Sequence, residues 1–117
     1  MVNDFAVCEN GRLEKRTITI ANGAAVSSSI DMNAFTLVGI KFPAAMTSTT
    51  VTLQDSFDGT TFEDTYNTDN NAIEWTFTQG RSYKILPSDT AAFWNLRIKV
   101  DSNEGAAREI IVTLRGV

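Results

Sequence analysis

The sequence predicts an all-β fold: an antiparallel two-sheet β-sandwich, jelly-roll-like, with eight to nine strands. Three observations predict it. Apolar residues recur at every second position in short stretches, and the turn pairs Asn22-Gly23, Asp58-Gly59 and Gln79-Gly80 separate those stretches. In addition, no segment holds a helical period long enough to cover a parallel sheet. A chain of 117 residues fits one domain, and its seven Phe, two Trp and two Tyr point to a partly aromatic core. An immunoglobulin-like sandwich is the alternative, although the cysteine pair of that family is missing.

Residues 1–13 are polar and lack periodicity, so they read either as a disordered terminus or as an arm ordered against a neighbouring subunit. In the second case Phe5, Val7 and Cys8 form its buried side. Residues 14–117 make the single sandwich domain. Glu14 to Ile20 is the first strand, with Arg16, Ile18 and Ile20 on one face, ended by Asn22-Gly23. Ala24 to Ile30 returns as a serine-rich strand, and Asp31-Met32-Asn33 turns the chain again. Phe35 to Phe42 is almost wholly apolar, which predicts a central strand covered on both faces and stopped by Pro43, whose nitrogen carries no hydrogen. Ala44 to Met46 is expected to make a brief helical turn.

Thr49 to Phe77 follows as a hairpin and a further strand. Val51, Leu53 and Asp55 alternate with Thr50, Thr52 and Gln54, and Asp58-Gly59 supplies the turn. Aspartate bonds its own backbone there while glycine takes positive φ. Phe62, Asp64 and Tyr66 form the return, and Ile73, Trp75 and Phe77 face one way in the next strand. After Arg81 to Leu86, the segment Leu86 to Phe93 reads as a loop with one helical turn capped by Ser88. Trp94, Leu96, Ile98 and Val100, and then Arg108, Ile110, Val112 and Leu114, are the inward positions of two closing strands.

The same residues exclude several chemistries. There is no histidine, so the usual general base, the usual zinc ligand and any Ser-His-Asp or Cys-His arrangement are gone. Cys8 is the one cysteine, which excludes an intramolecular disulfide while leaving an intermolecular bridge open. No phosphate-binding glycine loop is present. A net charge of -4, with no basic run beyond Arg12 to Arg16, predicts no nucleic-acid partner. The N-terminal stretch lacks the basic start and apolar run of a signal peptide, and no segment is long and apolar enough to span a bilayer, so no membrane partner is expected and the chain is expected in the cytoplasm of the cell that makes it.

Asp55, Asp58, Glu63 and Asp64 raise the possibility of paired-acid catalysis or of an irregular calcium site. Yet placing Gly59 at the sixth position of a calcium loop puts Gln54 first and Thr65 last, where acids are required. Turn and surface roles are the expectation for these acids; no metal and no cofactor is expected. Among the aromatics, Phe57 at the hairpin tip is expected to fold back onto the domain, with a subunit contact or a glycan as alternatives. Trp75 and Trp94 are expected in the core, although both, with Tyr66, are also candidates for a sugar platform. The interface or ligand candidates are therefore Phe5, Cys8, Phe57, Asp58, Gly59, Tyr66 and Trp75.

The arrangement from the serine-rich return strand through Leu37 to Ala45, Ser56-x-Asp58-Gly59-Thr60-x-Phe62, Leu86-Pro87 with Phe93-Trp94, and Arg108 to Gly116 resembles small structural proteins of tailed-bacteriophage virions, of the capsid-decoration kind. The resemblance covers residues 24 to 116 and leaves the first thirteen unmatched. It implies a non-enzymatic virion subunit, made in the host cytoplasm, that contacts phage capsid or tail proteins, and it assigns no catalytic residue. Repetition of one surface contact in a closed ring, a trimer being the expected case, would strengthen such attachment. The shorter Ser56 to Phe62 motif is also similar to a hairpin of discoidin-like carbohydrate-associated modules, which keeps a glycan as a further partner.

Overall fold

The computed structural model describes residues 12–116 and builds the sandwich from nine strand segments and one helical turn. The strands are β1 (Leu13–Ile20), β2 (Ile30–Asp31), β3 (Phe35–Lys41), β4 (Thr50–Asp55), β5 (Glu63–Asp64), β6 (Glu74–Thr76), β7 (Ser82–Lys84), β8 (Asn95–Val100) and β9 (Arg108–Gly116); the turn α1 (Pro87–Thr90) precedes β8. One sheet runs in the order β1-β9-β3-β7 and the other in the order β2-β8-β4-β5, with β6 also on β4. Every pairing is antiparallel. Only the β4–β5 connection stays within a sheet along one unbroken turn; the others carry the chain from one sheet to the other or resume the same edge. This is the double Greek key of a jelly roll.

Alternation accounts for the core. Ile18 and Ile20 on β1, Leu37 and Ile40 on β3, and Ile110, Val112 and Leu114 on β9 face Val51 and Leu53 on β4 and Leu96, Ile98 and Val100 on β8, all buried. Each such side chain contributes about 1.5–3 kcal/mol by leaving water. Phe42, just after β3, stacks on Phe77, just after β6, at 3.8 Å between ring centroids, and so ties the two sheets together at one side. Tyr83 on β7 meets Phe42 edge-on at 6.1 Å.

β5 and β6 occupy the same edge of β4. Asp64 lies opposite Gln54 and Thr76 opposite Thr50, and the chain between them leaves the sheet as an excursion closed by a Tyr66–Ala72 bridge. The two segments are one edge strand interrupted by a polar loop.

Several expectations need correction. Ala44 to Met46 forms no helical turn: Met46 is drawn into the core and its carbonyl accepts from the Gln79 side-chain amide, which holds the segment open. Ala24 to Ile30 is not a continuous strand. It is a corner, bonding β1 through the Ser28 amide to the Thr19 carbonyl and β8 through the Ser27 amide to the Ile98 carbonyl. Ser88 lies inside α1 rather than at its start; Leu86 is the cap residue, without a side-chain cap bond, and Pro87 opens the turn. β3 does sit mid-sheet, but its outer face at Lys41 is exposed rather than covered. Trp94 precedes β8 and is 58% exposed, not a core residue, because the inward face runs past the end of the facing sheet there.

Candidate functional site

The hairpin tip is built by its own polar groups. Asp58 accepts hydrogen bonds from the Thr60 and Thr61 amides at 2.8 and 2.9 Å and from the Ser56 hydroxyl at 2.9 Å. The Ser56 oxygen in turn accepts from the Gly59 amide at 2.9 Å. Those donors, the Thr61 amide first, favour the charged carboxylate and hold the Asp58 pKa down to about 2. Gly59 stands at φ +79, a conformation an L side chain resists. The base of the loop is fixed to β8 through the Ser56 amide on the Asn95 carbonyl and the Asn95 side-chain amide on the Ser56 carbonyl.

This framework pushes Phe57 outward. It is 83% exposed, so the expectation that it folds back onto the domain is wrong. A rigid loop carrying an exposed ring loses little further freedom when the ring is covered, which is what a contact residue requires.

Tyr66 and Trp75 belong to a different place. Trp75 is half-buried on β6, its ring 6.2 Å from that of Tyr83, and it lines a concavity of about 340 Å³ between β6 and the Ile85–Leu86 segment. Tyr66, 57% exposed, lines a second concavity of about 460 Å³ that reaches Phe93 and Ser88. The two share Asn67, Ile73 and Asp89 in their walls and so form one groove along the open side of the sandwich. Phe57 borders neither. Among the described residues, the buried side-chain atoms without a hydrogen-bond partner are Trp75 Nε1 and Thr65 Oγ1, and both residues belong to this groove. Phe5 and Cys8 lie outside the described residues.

The acids do not converge. The register sets Asp55 opposite Glu63, but Asp55 Oδ1 already accepts from the Trp94 and Asn95 amides at 3.0 and 3.2 Å. Asp58 serves its own loop. Asp64 accepts from the Gln54 side-chain amide at 2.8 Å and lies 3.1 Å from Lys99 Nζ; the Gln54 bond, then Lys99, lowers its pKa against the opposing effect of burial. Among the described residues no three acidic or sulfur ligands are gathered into one cluster, and Asp55, Asp58 and Asp64 stand apart.

One carboxylate that sequence reasoning passed over as loop is the most deeply placed. Glu104, 1% exposed, accepts from the Thr47 and Ser48 amides at 2.8 and 2.9 Å, from the Ser48 hydroxyl at 2.6 Å and from Arg108 Nε at 2.9 Å. Burial alone would raise its pKa, but the Ser48, Thr47 and Arg108 donors outweigh it and the pKa is lowered. Neither Arg108, four residues on in a stretch that is not helical, nor Ser48, some fifty-six residues away, gave a signal in the sequence.

The sequence matches no family model and no curated protein. Its fold is similar to that of the SPBc2 prophage-derived protein YomS, at a TM-score of 0.55 and 13% identity, over 89% of this chain and 95% of that one. Two looser matches are the Yersinia pseudotuberculosis-derived mitogen, at a TM-score of 0.38 and 13% identity over 92% of this chain and 87% of that one, and a family 89 glycoside hydrolase from Clostridium perfringens. The hydrolase match has a TM-score of 0.42 and 16% identity, covering 88% of this chain and 14% of the enzyme. At these identities what is shared with YomS is the sandwich fold itself.

Proposed function

We propose that the protein is a non-enzymatic structural component of a tailed-phage virion, decorating or stabilising the capsid through oligomeric contacts. The observation that carries this reading is the end-to-end fold likeness to a prophage-derived protein, which takes in 89% of this chain and 95% of that one. The rigid loop with its exposed Phe57 supports contact as the mode of action, and the absence of histidine from the sequence agrees with a role without turnover. A neck or tail position is the variant of the same reading.

Particles purified from a producing host, analysed by mass spectrometry and imaged at a resolution that places small subunits, test the proposal. Stoichiometric presence on the capsid lattice is expected. Density at the neck or tail instead selects the variant, and absence from intact particles overturns both.

A second reading, a carbohydrate-binding module, is favoured by one observation: the groove combines aromatic Trp75 and Tyr66 with the polar groups of Asn67, Glu74 and Asp89, the mixture that sugar rings pair with. It predicts saturable glycan binding that Trp75→Ala or Tyr66→Ala removes. A glycan array silent even to a multivalent form of the protein would rule it out.

A further inference from the structure

The outer face of the β1-β9-β3-β7 sheet carries a basic notch. Lys15 on β1, Thr113 on β9, Gly39 on β3 and Lys84 on β7 are consecutive partners across the sheet, forming one row. Three strand spacings of about 4.8 Å separate the two lysine backbones by about 14 Å. Between them Gly39 is buried and presents no side chain, and a Cβ there would stand 3.3 Å from Thr113 Cβ, so the Thr113 side chain forms the floor above it. Lys41 and Ile111, partners in the next row, close one end. Together these residues line a depression of about 270 Å³.

Lys15, Lys41 and Lys84 are all exposed, and none of them has an ion-pair partner among the described residues. Lys41 only reaches the Gly80 carbonyl, at 3.4 Å. Among the described residues of these strands the one acid on this face is Glu109, at the far end of β9 opposite Thr19. A basic notch with an apolar wall at Ile111, 40% exposed, fits an acidic projection that carries an apolar tip.

The chain itself has such a projection. Residues 42–80 hold Asp55, Asp58, Glu63, Asp64, Asp69 and Glu74 and not one Lys or Arg. The loop between β4 and β5 presents Phe57 outward between Asp55 and Asp58, with Glu63 exposed beside it. The loop lies on the sheet opposite to the notch, so one copy cannot fill its own depression, while two copies bring unlike charges together.

We infer that the notch of one copy receives the Phe57 loop of a second copy, with Phe57 seated against Ile111 and Thr113 and the loop carboxylates among Lys15, Lys41 and Lys84. The inference rests on the oligomeric part of the proposed function and names its contact. Because the two surfaces differ, the contact is head-to-tail and closes into a ring when the rotation permits.

The purified full-length protein tests this without any particle. Sedimentation velocity should show self-association that weakens by roughly tenfold or more between about 0.05 M and about 0.5 M salt, as screening of exposed charges requires. Lys15→Glu with Lys84→Glu should abolish association while leaving the circular dichroism spectrum unchanged, and Phe57→Ala should weaken it. Glu63→Lys should weaken it too, and mixing the two charge-reversed proteins should restore it. Zero-length carbodiimide coupling should join Lys15 or Lys84 of one copy to Glu63 of another. A monomer at every concentration up to about 1 mM would overturn the inference. So would association indifferent to salt and to the lysine reversals, or a short DNA duplex taken up by the notch while the protein stays monomeric. Those outcomes leave the virion assignment standing, whereas absence from particles overturns the assignment and leaves the measured contact intact.

Discussion

Glu104 shows how one side chain holds distant segments together. Four donors converge on a carboxylate with no exposed side-chain surface, joining the β3–β4 loop to the β8–β9 loop. Glu104→Ala should destabilise the fold by about 3 kcal/mol in urea unfolding, since it strands the buried Ser48 amide and leaves the half-buried Arg108 without its carboxylate. Asp101 does similar work, accepting from the Thr49 and Thr50 amides at 2.9 and 3.0 Å, and those bonds, Thr50 first, lower its pKa. Asp58, Asp64, Asp101 and Glu104 thus all have folded-state pKa values below those of the unfolded chain, where such groups titrate near about 4. Their contribution is complete above that value and is lost as pH falls through the folded values, down to about 2 for Asp58. Thermal unfolding between neutral pH and pH about 3 should therefore show a falling midpoint below pH about 4; a flat midpoint would mean that these bonds are unimportant. At the tip, Gly59→Ala should cost about 1–2 kcal/mol, because alanine resists the φ of +79 that the turn demands.

The elements are held at their joints as much as along their ladders. The Phe42–Phe77 stack joins the end of β3 to the end of β6, where β7 and β6 are the open edges of the two sheets. Phe77→Ala should lower stability by about 3–5 kcal/mol and separate those edges, seen as early loss of amide protection in β6 and β7 during hydrogen exchange. α1 is fastened in the same manner: Thr90, fully buried, donates its hydroxyl to the Leu37 carbonyl at 2.8 Å, beside the bulge in β3. On the outer face of the second sheet, Arg97 lies 4.3 Å above the Phe62 ring and donates to Gln54 at 2.7 Å, while Thr52 sits between Glu74 and Lys99 on the flanking strands, and these neighbours explain why polar residues of β4 are buried. Period-two alternation marks those positions as outward, correctly, but carries no information about a cover supplied by a neighbouring strand. The same gap explains Trp94, Glu14 and Arg16. All three lie on inward faces, yet the facing sheet stops short of them, leaving Trp94 exposed and Arg16 over Phe35 at 5.2 Å.

At the scale of the whole molecule, charge is distributed against its average. A chain of net charge -4 concentrates acids in residues 42–80 and displays three lysines on one sheet face. If the head-to-tail contact forms, the unfolding midpoint must rise with protein concentration, since association stabilises only the folded chain. A calorimetric midpoint independent of concentration over two decades would count against it.

The sequence by itself determined the fold class, the turn at Asp58-Gly59, the inward residues of β1, β4, β8 and β9, and the place of β3 in mid-sheet. Those follow from local rules: alternation selects a face, glycine accepts positive φ, and a long apolar run needs neighbours on both sides. What only the tertiary structure decided is which outward or inward positions are covered, and which distant residues meet. It separated Phe57 from Tyr66 and Trp75, gathered Lys15, Lys41 and Lys84 from three strands into one notch, and brought Ser48 to Glu104. Each depends on strand order and on where one sheet ends beneath the other, quantities set by contacts between residues far apart in sequence, for which local periodicity holds no record.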